Sequence, residues 1–379
     1  MQWIPQLGFG SGINGSPAVS GTINSFATCT GTATQYSLTT ALAASLGDVI
    51  LIHQTQGTGA GQWEMNYVLA DAGATLTLAY PLAYTYTTGA QAILVPQYTG
   101  GTLSGAVTTN AWNGSTGGII ALISNGDLTI SGSFALNAKG FRAGAGSSGG
   151  SSNGGCQAYQ GEGTGGAGTN FPTADNFGTA NGNGGGPGHN DKTGAYGSCG
   201  GGGGGNSTYG SYGLRDGGQS EGARGEPSGN AGLTAMTFGG GGGGGGSRPT
   251  GGPTTGQNGG IGGGMSFIFA KNLTLTTASL NHNATNGGSG TGSGGGGGAG
   301  GSCLIKCVSA TLGTNLITVA AGSGGIHSGD YQGDGGAGST GRIHIDYYGS
   351  YTGSTTPTID ATRDGSLITS GGSFLTNFL

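Results

Sequence analysis

The sequence predicts an all-β chain: a small amino-terminal sandwich or barrel followed by a β-solenoid-like scaffold carrying a long glycine-rich insertion. Three observations predict it. One apolar phrase recurs as GGIIALISNGDLTISGSFALNAKG from Gly117, GGMSFIFAKNLTLTTASLNHNATNGG from Gly263 and GGSCLIKCVSATLGTNLITVAAGSGG from Gly300, and begins again as TGRIHIDYYG at Thr340. Repetition of a unit too small to close its own core is the mark of stacked architectures. Of the 379 residues 96 are Gly and only 7% are charged, so the 33% that are hydrophobic must cluster away from the glycine tracts. Between Val19 and Asn110, β-branched and aromatic residues alternate in short runs punctuated by Gly, Asp and Pro.

In chain order, residues 1–18 carry Trp3, Ile4 and Phe9 among Gly, Asn and Ser. They read either as a docking segment for a larger assembly or as a strand packed on its own domain. Residues 19–116 form the amino-terminal β domain. Within it, residues 48–53 read as a buried strand, 56–61 as a glycine loop and 63–69 as the returning strand of a hairpin. Residues 75–78 and 92–95 supply further strands, and 37–46 is the single helical candidate. The expected core is Val49, Leu51, Trp63, Met65, Leu76, Leu78, Ile93 and Val95.

Residues 117–349 hold the repeats. In the first copy Ile119, Ala121 and Ile123 share a face, and Leu128 and Ile130 continue it. The equivalent positions are Met265, Phe267 and Phe269 in the second copy and Cys303, Ile305 and Cys307 in the third. Short paired strands separated by turns are expected, each copy burying its face against the next. Residues 350–379 remain as a carboxy-terminal tail.

The insertion, residues 141–262, contains unbroken glycine at 200–205 and 239–246. A flexible linker is one reading, because glycine loses most backbone entropy on ordering. The other is that glycine segments, lacking β-carbons, pack side by side as threefold extended helices with their N–H and C=O groups paired laterally. Collagen is excluded, since the glycines lack strict three-residue spacing and there are only 10 prolines.

Other classes fall away on composition. A net charge of −5 with 10 Lys and Arg gives no basic patch, so no nucleic-acid partner is expected. The longest apolar run, Ile119 to Ile123, is far below the roughly 18 residues of a membrane span. The segment beginning Met-Gln-Trp-Ile-Pro-Gln lacks the basic and apolar regions of a secretory signal. GxGxxG matches arise by chance in such a glycine content and lack a following GK[ST]. Gly146 to Gly150 reads GSSGG, with no strand leading in and no helix pattern following. Asp330 and Asp334 lack the partners of a calcium loop, and Cys303-x3-Cys307 lacks a second zinc pair. No metal, cofactor or catalytic site is expected.

The alternation of tracts such as GGGGGG and GGGGGGGG with polar, aromatic-bearing segments resembles the glycine-rich adhesins at the tips of T-even-like phage tail fibres. The likeness covers about residues 141–301 and is one of composition. It implies a polyglycine-II sandwich whose distal loops bind a host receptor, a virion or extracellular location, and attachment to other virion proteins through the amino-terminal segment. The amino-terminal domain departs from that family.

On this resemblance the receptor-binding candidates are Tyr159, Phe171, Phe177, His189, Tyr196, Tyr209, Tyr212, Arg215 and Asp216. Aromatic faces beside hydrogen-bonding groups suit sugar rings or an exposed loop of an outer-membrane protein. Lys192, Glu221 and Arg224 lie among them. Cys156 and Cys199 flank glycine tracts, and a disulfide between them would close a loop of about 43 residues, worth about 3–4 kcal/mol in an oxidising setting. The alternatives are a structural subunit of a virion or extracellular filament, a bacterial surface adhesin and a glycan depolymerase. The last needs a carboxylate pair, and Glu162, Asp175, Glu221 and Glu226 are too scattered to name one. The sequence leaves a homo-oligomer, trimer or filament, open.

Overall fold

The computed structural model describes residues 8–17, 20–147, 158–169, 179–188, 198–215, 220–247, 255–329 and 332–368. Among these the fold is all-β, with one 3-10 turn at Gly365–Ile368.

After β1 (Gly21–Thr22), the strands β2 (Phe26–Thr30), β3 (Ser37–Thr40), β4 (Val49–Gln54), β5 (Trp63–Asp71), β6 (Thr75–Leu78) and β7 (Ala90–Val95) close into a barrel in the order β2-β3-β6-β5-β4-β7. The expected hairpin is the β4–β5 pair, with Leu51 opposite Met65 and His53 opposite Trp63. All eight expected core residues are buried, but they serve two cores. Leu76 and Leu78 fill the barrel with Leu38, Ile50, Ile52 and Val68. Val49, Leu51, Trp63, Met65, Ile93 and Val95 point outwards, into a second cluster shared with the neighbouring sheet. A strand covered on both faces reads as a continuous apolar run rather than an alternation, which is why Val49–Ile52 are all apolar and all six residues of Val49–Gln54 are buried. The expected helix over 37–46 does not form. Residues 37–40 are β3, with Leu38 and Thr40 inward and Ser37 and Thr39 outward, and the β-branched pair Thr39-Thr40 suits a strand better than a helix.

The barrel leads into a curled parallel sheet of β1, β8 (Gln97–Tyr98), β9 (Gly101–Leu103), β10 (Val107–Thr108), β11 (Ile119–Ile130) and β12 (Ser133–Ala135). A small hairpin of β13 (Gly213–Leu214) and β14 (Ser220–Gly222) stands apart. The sheet is completed by β15 (Met265–Leu275), β16 (Ser279–Asn281), β17 (Ser302–Thr318), β18 (Arg342–Thr356) and β19 (Asp360–Arg363). The four copies of the apolar phrase are the neighbours β11, β15, β17 and β18, paired in parallel. Two details differ from the sequence reading. Pairing runs between copies rather than within them, and the break after Ser124 is a β-bulge inside one long strand, not a turn.

The third copy is also displaced by one residue. Phe267 pairs with Leu304, while Cys303, Ile305 and Cys307 align with Ser266, Ile268 and Ala270. A one-residue shift exchanges the two faces of a strand. The cysteines therefore lie in the core inside the curl, with Ile120, Leu122 and Ile345, and not on the face that Phe267 presents to the barrel. The two middle copies keep a constant offset: Ser309 bonds Asn272, Thr318 bonds Asn281, and the Ala320 and Ser323 N–H groups bond Asn283 and Asn286, each 37 residues apart.

The described part of the amino-terminal segment lies against the chain itself. The Asn14 N–H donates to Gln97 O and the Thr99 N–H to Gly15 O, at 3.0 and 2.9 Å, and Phe9 packs on the barrel–sheet cluster.

The glycine tracts are ordered by their backbones. In residues 200–205, the N–H groups of Gly200 and Gly203 donate to Leu214 and Ser211, those of Gly201 and Gly204 to Gly294 and Gly297, and those of Gly202 and Gly205 to Gly186 and Asn183. In residues 239–246, Gly239, Gly242 and Gly245 donate to Gly263, Gly260 and Gln257, while Gly240, Gly243 and Gly246 donate to Gly205, Gly202 and Cys199. Donors three residues apart share a neighbour, so successive N–H groups point in three directions. A β-carbon on any of Gly240, Gly241, Gly242, Gly243 or Gly244 would overlap a carbonyl oxygen of an adjoining segment. Only glycine permits this approach.

Candidate binding site

Residues 206–214 leave the tract at 200–205 and run back along it, held by Gly203 to Ser211 and Gly200 to Leu214 on one side and by the Ser211 N–H to Ala337 O on another. Tyr209, Tyr212 and Arg215 are spaced three apart on it, and Glu221 and Arg224 lie three apart on the returning segment after the β13–β14 hairpin. The Arg224 guanidinium carbon lies 4.1 Å from the ring centre of Tyr209 and 4.7 Å from that of Tyr212. Arg215 Nη1 donates to Glu221 Oε1 at 2.9 Å. Tyr209 and Tyr212 remain 50% and 42% exposed, among the most exposed large side chains described.

This stack combines three properties useful for recognition. The rings offer rigid contact area, the phenols donate and accept hydrogen bonds, and the guanidinium between them is held planar with no carboxylate partner among the described residues. The sequence places Arg224 among the polar residues of these loops but not among the binding candidates; the spacing of three in Tyr209-x2-Tyr212 is the signal that would have paired it with the two rings.

Tyr159 lies elsewhere, 40% exposed beside a recess of about 230 Å3 that Arg142, Gln160 and Glu162 also line. Glu162 is fully engaged: Arg142 donates from Nε at 2.9 Å and Nη2 at 3.1 Å, and Gln56 Nε2 donates at 3.1 Å. That carboxylate ties the barrel to the glycine bundle. Phe171, Phe177, His189, Tyr196 and Asp216 lie outside the described residues, as does Asp175. The expected disulfide rests on Cys156, also outside them; Cys199 is buried at the edge of its glycine tract.

Two polar clusters lie within the sheet. Ser266 Oγ is 2.8 Å from His282 Nε2 and 3.3 Å from Cys303 Sγ, an arrangement of nucleophiles and base, but all three side chains are buried out of reach of any substrate. Burial lowers His282 to about 4, against small opposing hydrogen bonds from the backbone at Leu280 and Thr318, and pushes the Cys303 thiol up to about 12. At the last rung, His344 bonds Asp360 through Nδ1 at 2.8 Å and Asp346 through Nε2 at 3.0 Å, and Lys306 pairs with Asp346. Burial alone would lower His344, yet the two carboxylates outweigh it and hold its pKa above the ordinary value. Both ring nitrogens are occupied by carboxylates, so the imidazole is spent on holding the sheet edge together.

No protein-family model, no curated protein and no solved structure matches the chain.

Proposed function

We propose that the chain is a receptor-binding adhesin of a phage virion, at a tail-fibre tip or tail tip, which recognises a host surface glycan or an outer-membrane protein. On this reading the glycine tracts pack as a polyglycine-II bundle, the repeated phrase forms a β-solenoid-like scaffold, and the amino-terminal region joins other virion proteins. The observation that carries the proposal is the exposed Tyr209–Arg224–Tyr212 stack on a backbone-packed support. The three-direction hydrogen bonding of residues 200–205 and 239–246 supports the polyglycine-II reading. An Arg flanked by rings suits a carboxylate-bearing sugar or an acidic loop, since it offers charge, planar donors and stacking together.

The test is binding of the purified chain to intact bacteria and to isolated envelope glycans, with the double variant Tyr209→Ala/Tyr212→Ala and the single variant Arg224→Gln as comparisons. Loss of binding in both, with unchanged melting, is expected. Undiminished binding by the variants would remove the stack from the site. Failure of the intact chain to bind any host in the panel would favour the second reading, a structural subunit of a virion or filament. That reading draws on the edge of β18, whose residues 349–356 lie beyond the four-residue pairing with β19. Release of reducing ends from the glycans would instead reveal a depolymerase.

A further inference from the structure

A groove of about 650 Å3 lies where the mouth of the barrel meets the glycine bundle, within the roughly 300–1,000 Å3 typical of small-ligand sites. One wall comes from β2 and β3, where Thr30 and Thr39 stand opposite each other across the strand pair. The facing wall comes from the turns at Gln56-Gly57, Thr88-Gly89 and Gly114-Ser115 and from Gly165-Gly166 of the bundle. The two units are fastened beneath it: the Gly57 N–H donates to Thr164 O at 2.8 Å and Gln56 Nε2 to Gly163 O at 3.0 Å.

Three features define what this groove accepts. Its lining contains no charged side chain. Thr28, Thr30, Thr39, Thr88 and Ser115 line it as exposed residues, and none of their hydroxyls makes a hydrogen bond to another described residue, whereas the inner Thr40 hydroxyl is spent on Thr28 O. Four lining glycines, Gly57, Gly89, Gly114 and Gly166, have φ between 81° and 129°, where a side chain is strained, so the rim stays bare.

We propose that this groove is a binding site for an uncharged oligosaccharide. The unpaired hydroxyls supply donors and acceptors for sugar hydroxyls, and the methyl groups of Ala41, Ala74 and the threonines meet the C–H faces of the rings. An acidic ligand would bring a carboxylate into a groove with no cation to receive it. An apolar ligand would cover several hydroxyls without giving them partners. The groove shares no lining residue with the Tyr209–Arg224–Tyr212 stack, and the proposal holds whether or not the chain is an adhesin. With no aromatic platform in the groove, affinity for a single short sugar is about millimolar.

The test is titration of the full chain with the neutral trisaccharides maltotriose, cellotriose, xylotriose and tri-N-acetylchitotriose, followed by protein NMR shifts, with sialyllactose as the acidic control. At least one neutral sugar is expected to bind, and Thr39→Trp and Ser115→Trp, which block opposite walls at exposed positions, should each weaken it about tenfold or more. Tyr212→Ala should leave it unchanged. Melting curves identify a variant that fails to fold, and the other then carries the test. Absence of binding by every neutral sugar, preference for sialyllactose, or binding indifferent to both tryptophans would each overturn the proposal. Absence of cell binding by the intact chain, with trisaccharide binding present, would overturn the adhesin reading alone.

Discussion

The barrel and the glycine bundle solve the same problem with opposite materials. In the barrel, Leu38, Ile50, Ile52 and Leu76 remove apolar area from water, and the backbone ladder follows from strand pairing. In the bundle, residues such as Gly202 and Gly243 contribute no side chain at all; their segments approach until one backbone donates to the next, and the hydrogen bonds in three directions are the packing. Such a region excludes water by closeness rather than by oiliness. A buried amide without a partner is costly, so the lattice is cohesive only when nearly complete. The barrel should therefore tolerate conservative changes in its interior, whereas the bundle should tolerate none along its tracts.

The sharpest break of that comparison is Gly243→Ala. A single methyl there would overlap Gly186 O, a backbone atom that cannot swing aside. A loss above about 4 kcal/mol, or failure to fold, is expected in urea titration. The control is Gly232→Ala, whose added carbon would meet only a His344 ring atom 4.0 Å away, and which should stay within about 0.5 kcal/mol of the parent. Equal effects at the two glycines would show that the tracts are not close-packed.

Phe267→Ala removes a large side chain from the barrel–sheet interface, where its ring meets Trp63 edge-on with centroids 5.0 Å apart. A loss of about 3–5 kcal/mol is expected with the fold retained in circular dichroism, so a change of many atoms should cost no more than one methyl in the bundle.

Smaller effects come from titration. Burial, against a weaker opposing hydrogen bond to Met236 O, lowers His53 to about 4, and His282 behaves likewise. Each is neutral when folded and has an unfolded value near 6.5, so stability falls as pH drops from about 6.5 towards 4, by up to about 3 kcal/mol per histidine. His344 has the opposite sign. Its raised pKa makes its contribution complete below about 6.5, and that contribution is lost as pH rises through the folded value. Urea midpoints at several pH values should show both limbs, with His282→Gln flattening the acid limb and His344→Gln the alkaline one; unchanged slopes would contradict the assignment.

Much of the architecture was legible in the residues. The repeats from Gly117, Gly263, Gly300 and Thr340 are the parallel neighbours of the sheet, and the hairpin through residues 48–69 is present. What was not legible has physical causes. The third copy carries cysteines where hydrophobic pattern alone fixes no parity, and its register is set by the pairing of Phe267 with Leu304. Val49 and Leu51 gave no hint of which core each serves, because both faces of β4 are covered. Arg224 stacks on two rings spaced three apart, and neither the two-residue period of strands nor the 3.6 of helices points to that contact. The groove was invisible, since Thr30, Ser115 and Gly166 meet only after three distant turns converge.

The tracts and the rungs also impose rules on length. Because the N–H direction in a tract repeats every third residue, adding one or two glycines would aim each following donor at the wrong neighbour, while adding three would restore every direction. In β15 or β17 the corresponding step is two, the interval that keeps core-facing residues inward. Between the middle copies the step is the whole repeat offset of 37 residues. Insertions and deletions that this gene can survive in its scaffold are thus quantised, and free variation in length is confined to the segments that join one tract to the next.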